Sequence, residues 1–261
     1  MSEFFATTSL AVGWAFIFGT CIGSFLNVLI WRLPREKGVG GRSECPNCKH
    51  ELAGYDLVPV LSYIFQKRKC RYCEKKISPR YALIEIVTGL FFGLAMYLNP
   101  VSDWLSWILL AKLIFVISIC IVVFVIDLEH YLILDRVIYP AIFVVAVFAI
   151  AQQTFLVNFL SGVFSALPFF LIWFFSKGKW MGLGDVKYLL FMGLALGFPS
   201  ILVGLFLAFT IGAIVGVGLI LAGKKEMSSK VPFGTFLTIA TILALLWGPQ
   251  IWQGYWRMFM L

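Results

Sequence analysis

The chain has 261 residues, of which 61% are hydrophobic and only 13% are charged. A soluble domain of this length cannot bury so much apolar surface, so the composition predicts an all-α polytopic protein embedded in a lipid bilayer. The net charge of +8 does not indicate nucleic-acid binding. No base-stacking aromatic residues interleave with the basic ones, and membrane orientation explains where the charges lie.

Apolar runs of about 20 residues predict membrane-spanning helices, and we expect eight of them. The sixth run is short, and a turn at 198–200 separates it from the seventh. The first run is too long for the core of a signal peptide, so it is kept as a helix. The chain then divides into a first helix (1–31), a water-facing segment (32–80) and a helical core (81–261). The eight runs are 4–31, 81–98, 104–126, 137–152, 154–176, 187–198, 199–222 and 231–249.

The basic residues are unevenly distributed between the loops. Of the 21 Lys and Arg residues, 19 lie in four loops, and the alternate loops carry none. The positive-inside rule therefore predicts that these four loops face the cytoplasm and that both termini lie outside. The four loops are 32–80, 127–136, 177–187 and 223–230.

The segment 32–80 contains two Cys-x2-Cys motifs, in SECPNCKHEL (43–52) and KCRYCEKK (69–76). Each motif lets two thiolates reach one ion, and two motifs complete a tetrahedral shell. A reducing compartment disfavours disulfides, and a segment of about fifty residues with little core gains its fold from a bound metal. His50 as a replacement ligand and a redox-active cysteine pair are the alternatives. We predict structural zinc on Cys45, Cys48, Cys70 and Cys73.

Two aspartates border apolar runs on the predicted cytoplasmic side. Asp127 closes the run 104–127, and Asp185 lies in GLGDVK (182–187), just before the next run. A carboxylate at the edge of the hydrocarbon is costly unless it is solvated, paired or functional. Two adjacent acids share one proton, so the anion can activate water while the acid polarises a carbonyl. Alternatively, both residues only cap helices or pair with loop lysines.

Four further residues are candidate substrate contacts. Glu85 lies about one turn into the second apolar run, where an acid indicates a possible site, and Asn27 lies near the inner end of the first. Gly182 and Gly184 let the backbone approach a neighbouring helix or an extended peptide closely. Helix packing is the alternative role for Asn27, and Glu85 could instead reach back to lipid headgroups or to Arg80.

Several motifs occur in the order seen in the prepilin peptidases, also called type IV leader peptidases, and the chain resembles that family over most of its length. The complete series is specific, whereas the Gly-x-Gly-Asp element alone would be weak. The motifs are GSFLNVLIWRLP (23–34), Cys-Pro-x-Cys (45–48), LVPVLSYIFQKRKCRYCEKKISPRYALIEIVTG (57–89), an aspartate closing a helix (127), GLGDVK (182–187) and VPFGTF (231–236).

The resemblance implies an inner-membrane aspartic protease that cuts prepilins or pseudopilins on the cytoplasmic side, after the glycine that ends a short basic leader. It also implies methylation of the new N-terminal amine with S-adenosylmethionine. The family's paired acids correspond to Asp127 and Asp185, and its knuckle cysteines correspond to the four named above. The segment 32–80 would then be the zinc domain, and 81–261 the peptidase core.

One departure from the family pattern lies after Asp127. The chain has Ile133-Leu134-Asp135, where the family usually has a triplet with a central proline. Without this proline, we expect the turn after Asp127 to be less rigid than in the family. By position, Glu129 or Asp135 could also replace Asp127 as the partner acid.

Two other functional classes would use the same features. A zinc-ribbon membrane transporter or assembly scaffold would explain the spans and knuckles without proteolysis. A thiol-redox membrane enzyme would need reactive rather than metallated cysteine pairs. The chain has no glycine-rich dinucleotide-type motif, so no residue is assigned to the methyl donor.

Overall fold

The computed structural model is predominantly helical, which confirms the predicted all-α class. It describes residues 2–223 and 232–259, with side chains for 9–223 and 232–258. Among these residues the β structure consists of two isolated bridges in the segment 32–80. The α-helices are α1 (Ser2–Arg32), α2 (Leu61–Phe65), α3 (Arg80–Leu98), α4 (Trp104–His130), α5 (Asp135–Ala151), α6 (Phe155–Ser176), α7 (Leu183–Leu196), α8 (Ser200–Leu221) and α9 (Phe233–Phe259).

All eight predicted apolar runs form helices, but these helices differ in length. Six are long and apolar enough to cross a membrane, namely α1, α3, α4, α6, α8 and α9. Helices α5 and α7 have 17 and 14 residues. At a rise of 1.5 Å per residue, α7 is about 21 Å long, less than the hydrocarbon core of about 30 Å. The described part of the chain thus has six helices that are long enough to span a membrane and two shorter apolar helices, where the sequence predicted eight spans.

The predicted turn at 198–200 is confirmed. Helix α7 ends at Leu196, Gly197 adopts a φ of 67°, and α8 begins at Ser200. A positive φ is readily adopted only by glycine, so Gly197 ends the helix at this point. Residues 224–231, which include most of the predicted basic loop 223–230, lie outside the described residues.

The chain divides into two compact units, residues 1–122 and 123–261, and α4 contributes to both. In the first unit α1 packs along α3 through glycines. A Cβ added to Gly19 would lie 2.8 Å from the Cα of Gly89. Lipid supplies no hydrophobic force between helices, so close backbone contact provides the van der Waals attraction that holds such a pair together.

In the second unit α7 packs against α5, α6 and α9. A Cβ on Gly193 of α7 would overlap the backbone of Gly162 in α6. The Nδ2 of Asn158 in α6 donates to the carbonyl of Leu194 at 2.9 Å. These contacts hold α7 against its neighbours, and α7 begins at the turn that carries Asp185.

Replacing Gly193 with alanine should destabilise the second unit. The added methyl group overlaps the Gly162 backbone, and overpacking of this kind typically costs about 1–3 kcal/mol. Thermal unfolding of the purified protein should show a lower Tm. Gly218→Ala in α8 is the matched control, because a Cβ there meets nothing within 4 Å. Equal Tm values for the two variants would contradict this packing.

Candidate functional site

The four cysteines of the two Cys-x2-Cys motifs form a single cluster. All four sulfur atoms lie within 4.8 Å of one another, and every cysteine is a free thiol. The Sγ atoms of Cys45 and Cys73 are 3.9 Å apart. A tetrahedral site with Zn–S bonds of 2.3 Å has sulfur–sulfur edges of about 3.8 Å. The cluster therefore fits zinc, and four thiolates leave no open position for catalysis.

The backbone of the cluster forms two similar knuckles. In the first, the N–H of Cys45 donates to the carbonyl of His50 at 3.0 Å; in the second, the N–H of Cys70 donates to the carbonyl of Lys75 at 2.9 Å. The residue after the second cysteine of the first knuckle, Lys49, has a φ of 62°. That left-handed turn brings the chain back so that two thiols can point at one position.

His50 is not one of the clustered groups. Its ring lies against Tyr72, with 3.7 Å between the ring centroids. A hydrogen bond with Tyr55, burial and the nearby Asp56 carboxyl raise the pKa of Tyr72 to about 12. The phenol therefore keeps its proton and donates it to Asp56 at 3.1 Å. The alternative in which His50 replaces one thiolate has no support in this geometry.

Asp56 joins three side chains of the segment 32–80, and this role was not predicted from the sequence. The carboxylate is buried and accepts a hydrogen bond from Gln66 Nε2 at 2.9 Å. The Nε of Arg71 lies 3.2 Å away and supplies the opposite charge. An acid inside the apolar stretch LAGYDLVPV (52–60) was the signal that could have indicated it.

Asp127 lies in the last turn of α4 and is only 5% exposed. Its Oδ2 accepts the backbone N–H of Thr235 at 2.8 Å and a further backbone hydrogen bond from Gly234. Both N–H groups belong to the first turn of α9, where backbone donors have no partner within the helix. A side chain from another helix therefore caps α9, and the positive end of its dipole favours a carboxylate there.

Asp185 lies in the first turn of α7, directly after the glycines of GLGD. Its carboxyl accepts a hydrogen bond from the backbone of Gly182, and the carboxyl of Asp127 acts on it electrostatically. Asp185 is half-buried. The structure thus brings the two aspartates that the sequence singled out close enough for one carboxyl to act on the other, although they are 58 residues apart along the chain.

Glycines make room for this approach. A Cβ on Gly184 would lie 3.0 Å from the Cβ of Ile133, and a Cβ on Gly234 would lie 3.0 Å from Cδ1 of the same side chain. A Cβ on Gly234 would also lie only 2.7 Å from Oδ2 of Asp127. Ile133 therefore packs between α7 and α9. The sequence reasoning assigned no site role to Gly234, although the motif VPFGTF contained it.

The two alternative partner acids are engaged elsewhere. Asp135 accepts two hydrogen bonds from Lys187 Nζ, at 2.7 and 2.9 Å, which joins α5 to α7 two residues beyond Asp185. Glu129 lies 4.0 Å from His130 Nε2. Leu134 precedes α5 with an extended backbone, so the turn after Asp127 forms without the family's proline.

The other candidate substrate contacts have different surroundings. Asn27 and Glu85 lie in the first unit, where Nδ2 of Asn27 donates to the carbonyl of Tyr81 at 3.0 Å and Oε2 of Glu85 accepts the N–H of Val60 at 2.8 Å. Gly182 is exposed, and a Cβ there would meet only the carboxyl of Asp185 and the backbone of Gly184. Gly182 is therefore the one glycine of GLGD that is open to an approaching peptide.

These features define a polytopic helical membrane protein with a pair of interacting acids and a cluster of four thiols that could hold a metal ion. Residues 17–99 match the Bacterial Peptidase A24 N-terminal domain, and residues 114–217 match the Type IV leader peptidase family. The chain is 33% identical to a prepilin leader peptidase/N-methyltransferase of Aeromonas hydrophila, over 92% of both chains. It is 32% identical to the protein of that name from Bacillus subtilis, over 93% of this chain and 97% of the relative. No solved structure matches the chain. The chain belongs to the type IV leader peptidase family.

Loss of one knuckle cysteine should remove the metal. We expect Cys70→Ser to lower the zinc content of the purified protein from about one ion per chain to a small fraction, because three thiolates leave the shell incomplete. Metal analysis by mass spectrometry measures this content. Cys21→Ser is the control, since Cys21 is an exposed residue of α1 outside the cluster. Zinc retained by the Cys70 variant would contradict the assignment.

Gly234→Ala should impair the acid pair without removing either acid. The new methyl group overlaps Oδ2 of Asp127, so the carboxylate must turn away from the first turn of α9. A displacement of about 1 Å at a reacting group can lower a rate about 100-fold. Peptidase kinetics would detect the change. Gly212→Ala is a milder control, because the atoms nearest to its Cβ would belong to the ring of Phe236, at 3.2 Å or more. Equal rates for the two variants would rule out this role of Gly234.

Proposed function

We propose that this protein removes the short basic leader from type IV prepilins or pseudopilins, with Asp127 and Asp185 as the acid pair. Family membership supports the reaction, and this chain aligns with 92% and 97% of the length of the two prepilin leader peptidase relatives. The observation that carries the residue assignment is the convergence of the two acids on Ile133. This side chain packs against Gly184, the neighbour of Asp185, and against Gly234, which lies beside the Asp127 carboxyl, and the charge of Asp127 acts on Asp185. The relatives give no support to a transporter or scaffold.

The two acids have different partners, and this difference supports a division of labour. Asp127 accepts two backbone N–H groups at the positive end of α9, whereas Asp185 accepts one backbone hydrogen bond from Gly182. Donors stabilise the charged form of a carboxyl group, so Asp127 carries the negative charge and Asp185 keeps the shared proton.

Hydrolysis then needs neither a metal nor a covalent intermediate. Asp127 takes a proton from a water molecule as that water attacks the scissile carbonyl. Asp185 donates its proton toward the carbonyl oxygen, which stabilises the negative charge developing there. As the tetrahedral intermediate collapses and the C–N bond breaks, Asp127 gives the proton that it took from water to the departing amine nitrogen, and Asp185 regains a proton from a hydroxyl of the intermediate. The leader leaves with a new carboxyl group, which loses its proton to water, and the pair returns to its starting state.

The position of the acids matches the geometry of such a substrate. A prepilin would place its apolar helix in the bilayer and its basic leader in water, so the scissile bond would arrive at the membrane interface. The loops rich in Lys and Arg support a cytoplasmic location for this interface in the bacterial inner membrane. Of the acids that could contact a basic leader, Asp135 is already neutralised by Lys187.

The second part of the proposal is N-methylation of the amine that cleavage exposes. S-adenosylmethionine would supply the methyl group: the amine nitrogen bonds to the methyl carbon, the carbon–sulfur bond breaks, and a neutral thioether and a proton are released. The N-methyltransferase part of the relatives' names supports this activity. The zinc site would have no chemical step and would hold the segment 32–80 in its folded form.

Asp127→Asn and Asp185→Asn should each lower the rate of prepilin cleavage by at least about 100-fold, because an amide neither activates water nor donates the shared proton. Gel analysis of a purified prepilin incubated with each variant measures this rate. Asp103→Asn is the matched control, since Asp103 is exposed and its amide can still cap α4 at Ser106. All three variants should insert and retain zinc. A normal rate for either member of the pair would refute the mechanism.

A further inference from the structure

The first unit contains a cavity of about 630 Å³. Its walls come from α1 between residues 21 and 32, from the zinc segment, and from the first turns of α3 between residues 81 and 85. Sites that hold ligands of drug or cofactor size typically enclose about 300–1,000 Å³. The peptidase proposal above uses none of the residues that line this cavity.

One buried acceptor at the cavity has no partner. Asn27 is 4% exposed, and its Nδ2 donates to the carbonyl of Tyr81, which fixes the orientation of the amide. Its Oδ1 is buried and has no hydrogen-bond partner among the described residues. Buried polar groups are normally satisfied, so a free carbonyl oxygen beside a cavity indicates a group that arrives with a ligand.

Glu85 places a buried carboxyl group at the same cavity. It is 8% exposed and accepts hydrogen bonds from the N–H of Val60 and the hydroxyl of Ser24. No Lys or Arg in residues 9–223 and 232–258 forms an ion pair with it. A buried carboxylate without a counter-charge is costly, so its natural ligand is a cation.

The backbone that contacts Glu85 is itself strained. Val60 has a φ of 61°, a conformation that β-branched residues rarely adopt. Such strain persists only where the surroundings impose it, and it is concentrated at functional sites. Here the strained turn points the Val60 N–H at Glu85 and so orients the carboxylate.

The remaining walls are suited to a nucleoside. The side chains of Trp31, Tyr63 and Tyr81 line the cavity, and aromatic rings stack on planar bases. Asp56 also lines it, but its carboxylate is already satisfied by Gln66, Tyr72 and Arg71. Of the buried polar residues in the lining, Asn27 and Glu85 are therefore the two that can still recognise a ligand.

We propose that this cavity is the binding site for S-adenosylmethionine, with its sulfonium held between Glu85 and Oδ1 of Asn27 and its adenine against the aromatic wall. The inference rests on the methyltransferase part of the proposed function. It explains why two polar residues lie buried together at the inner ends of α1 and α3. Because Cys45 and Cys70 also line the cavity, the metal knuckles form one of its walls.

The decisive experiment compares two ligands that differ in charge. Binding of S-adenosylmethionine and of the neutral thioether S-adenosylhomocysteine is measured by titration calorimetry on the full-length protein in lipid nanodiscs. Glu85→Gln should weaken S-adenosylmethionine binding about tenfold, since a charge contact is lost. Binding of S-adenosylhomocysteine should change less than twofold. A purely structural role for Glu85 would weaken both ligands equally, and that result would overturn the assignment of the sulfonium.

A second variant tests the cavity without touching a polar group. Val28→Phe fills space in the cavity wall and should reduce binding of both ligands more than tenfold. Ile17→Phe is the matched control on the same helix, because Ile17 is 52% exposed and lies outside the cavity. Equal binding by these two variants would place the ligand elsewhere.

Failure of this inference can be told apart from failure of the proposed function. Wild-type protein that cleaves prepilin but binds neither ligand overturns the cavity assignment and leaves the peptidase intact. Protein that binds S-adenosylmethionine but does not cleave prepilin contradicts the peptidase alone. The Asp185→Asn variant should bind both ligands with wild-type affinity, because Asp185 is not part of the cavity.

Discussion

The second unit depends on how a carboxylate is held at the end of an apolar helix. Asp127 is almost fully buried, and a charge in that position is stable only if donors replace the water it has lost. The first turn of α9 supplies them, because its N–H groups of Gly234 and Thr235 have no partner within their own helix. One contact thus satisfies the acid, caps α9 and joins α4 to α9. The proposed separation of roles between Asp127 and Asp185 is based on this contact.

Such a contact requires that the helix ends approach closely. Glycine at 234 leaves room for the Asp127 carboxyl, and glycine at 184 leaves room for Ile133. A larger residue at 234 would displace the carboxyl itself, and one at 184 would press on Ile133. Close backbone contact at glycines also holds α7 to α6, through Gly162 and Gly193, and holds α1 to α3 through small residues. In lipid, where burial of apolar side chains gives little association energy, this close packing determines where the polar groups meet.

Much of this arrangement could be predicted from the sequence, because local patterns determine it. The apolar runs gave the helices, and the spacing of the cysteines gave the four-thiol cluster, both of which the structure confirms. The assignment of Asp127 and Asp185 as catalytic residues remains a prediction. Helix length was less predictable: α7 is too short to be a full span, since the glycines of GLGD begin it late and Gly197 ends it. The partners of Asp127 were not predictable, because Gly234 and Thr235 lie more than 100 residues away along the chain.

The buried acids of this protein differ in how completely they are satisfied, and that difference separates structural from functional carboxylates. Asp56 accepts hydrogen bonds from Gln66 and Tyr72 and has an ion pair with Arg71, so it has no capacity for a ligand. Glu85 has donors but no counter-charge. Burial alone would rank these two acids together, because both are 8% exposed. An ionised Glu85 therefore remains unfavourable until a cation pairs with it. A cationic ligand that binds beside Glu85 would remove this cost, and the free energy released would contribute to its binding.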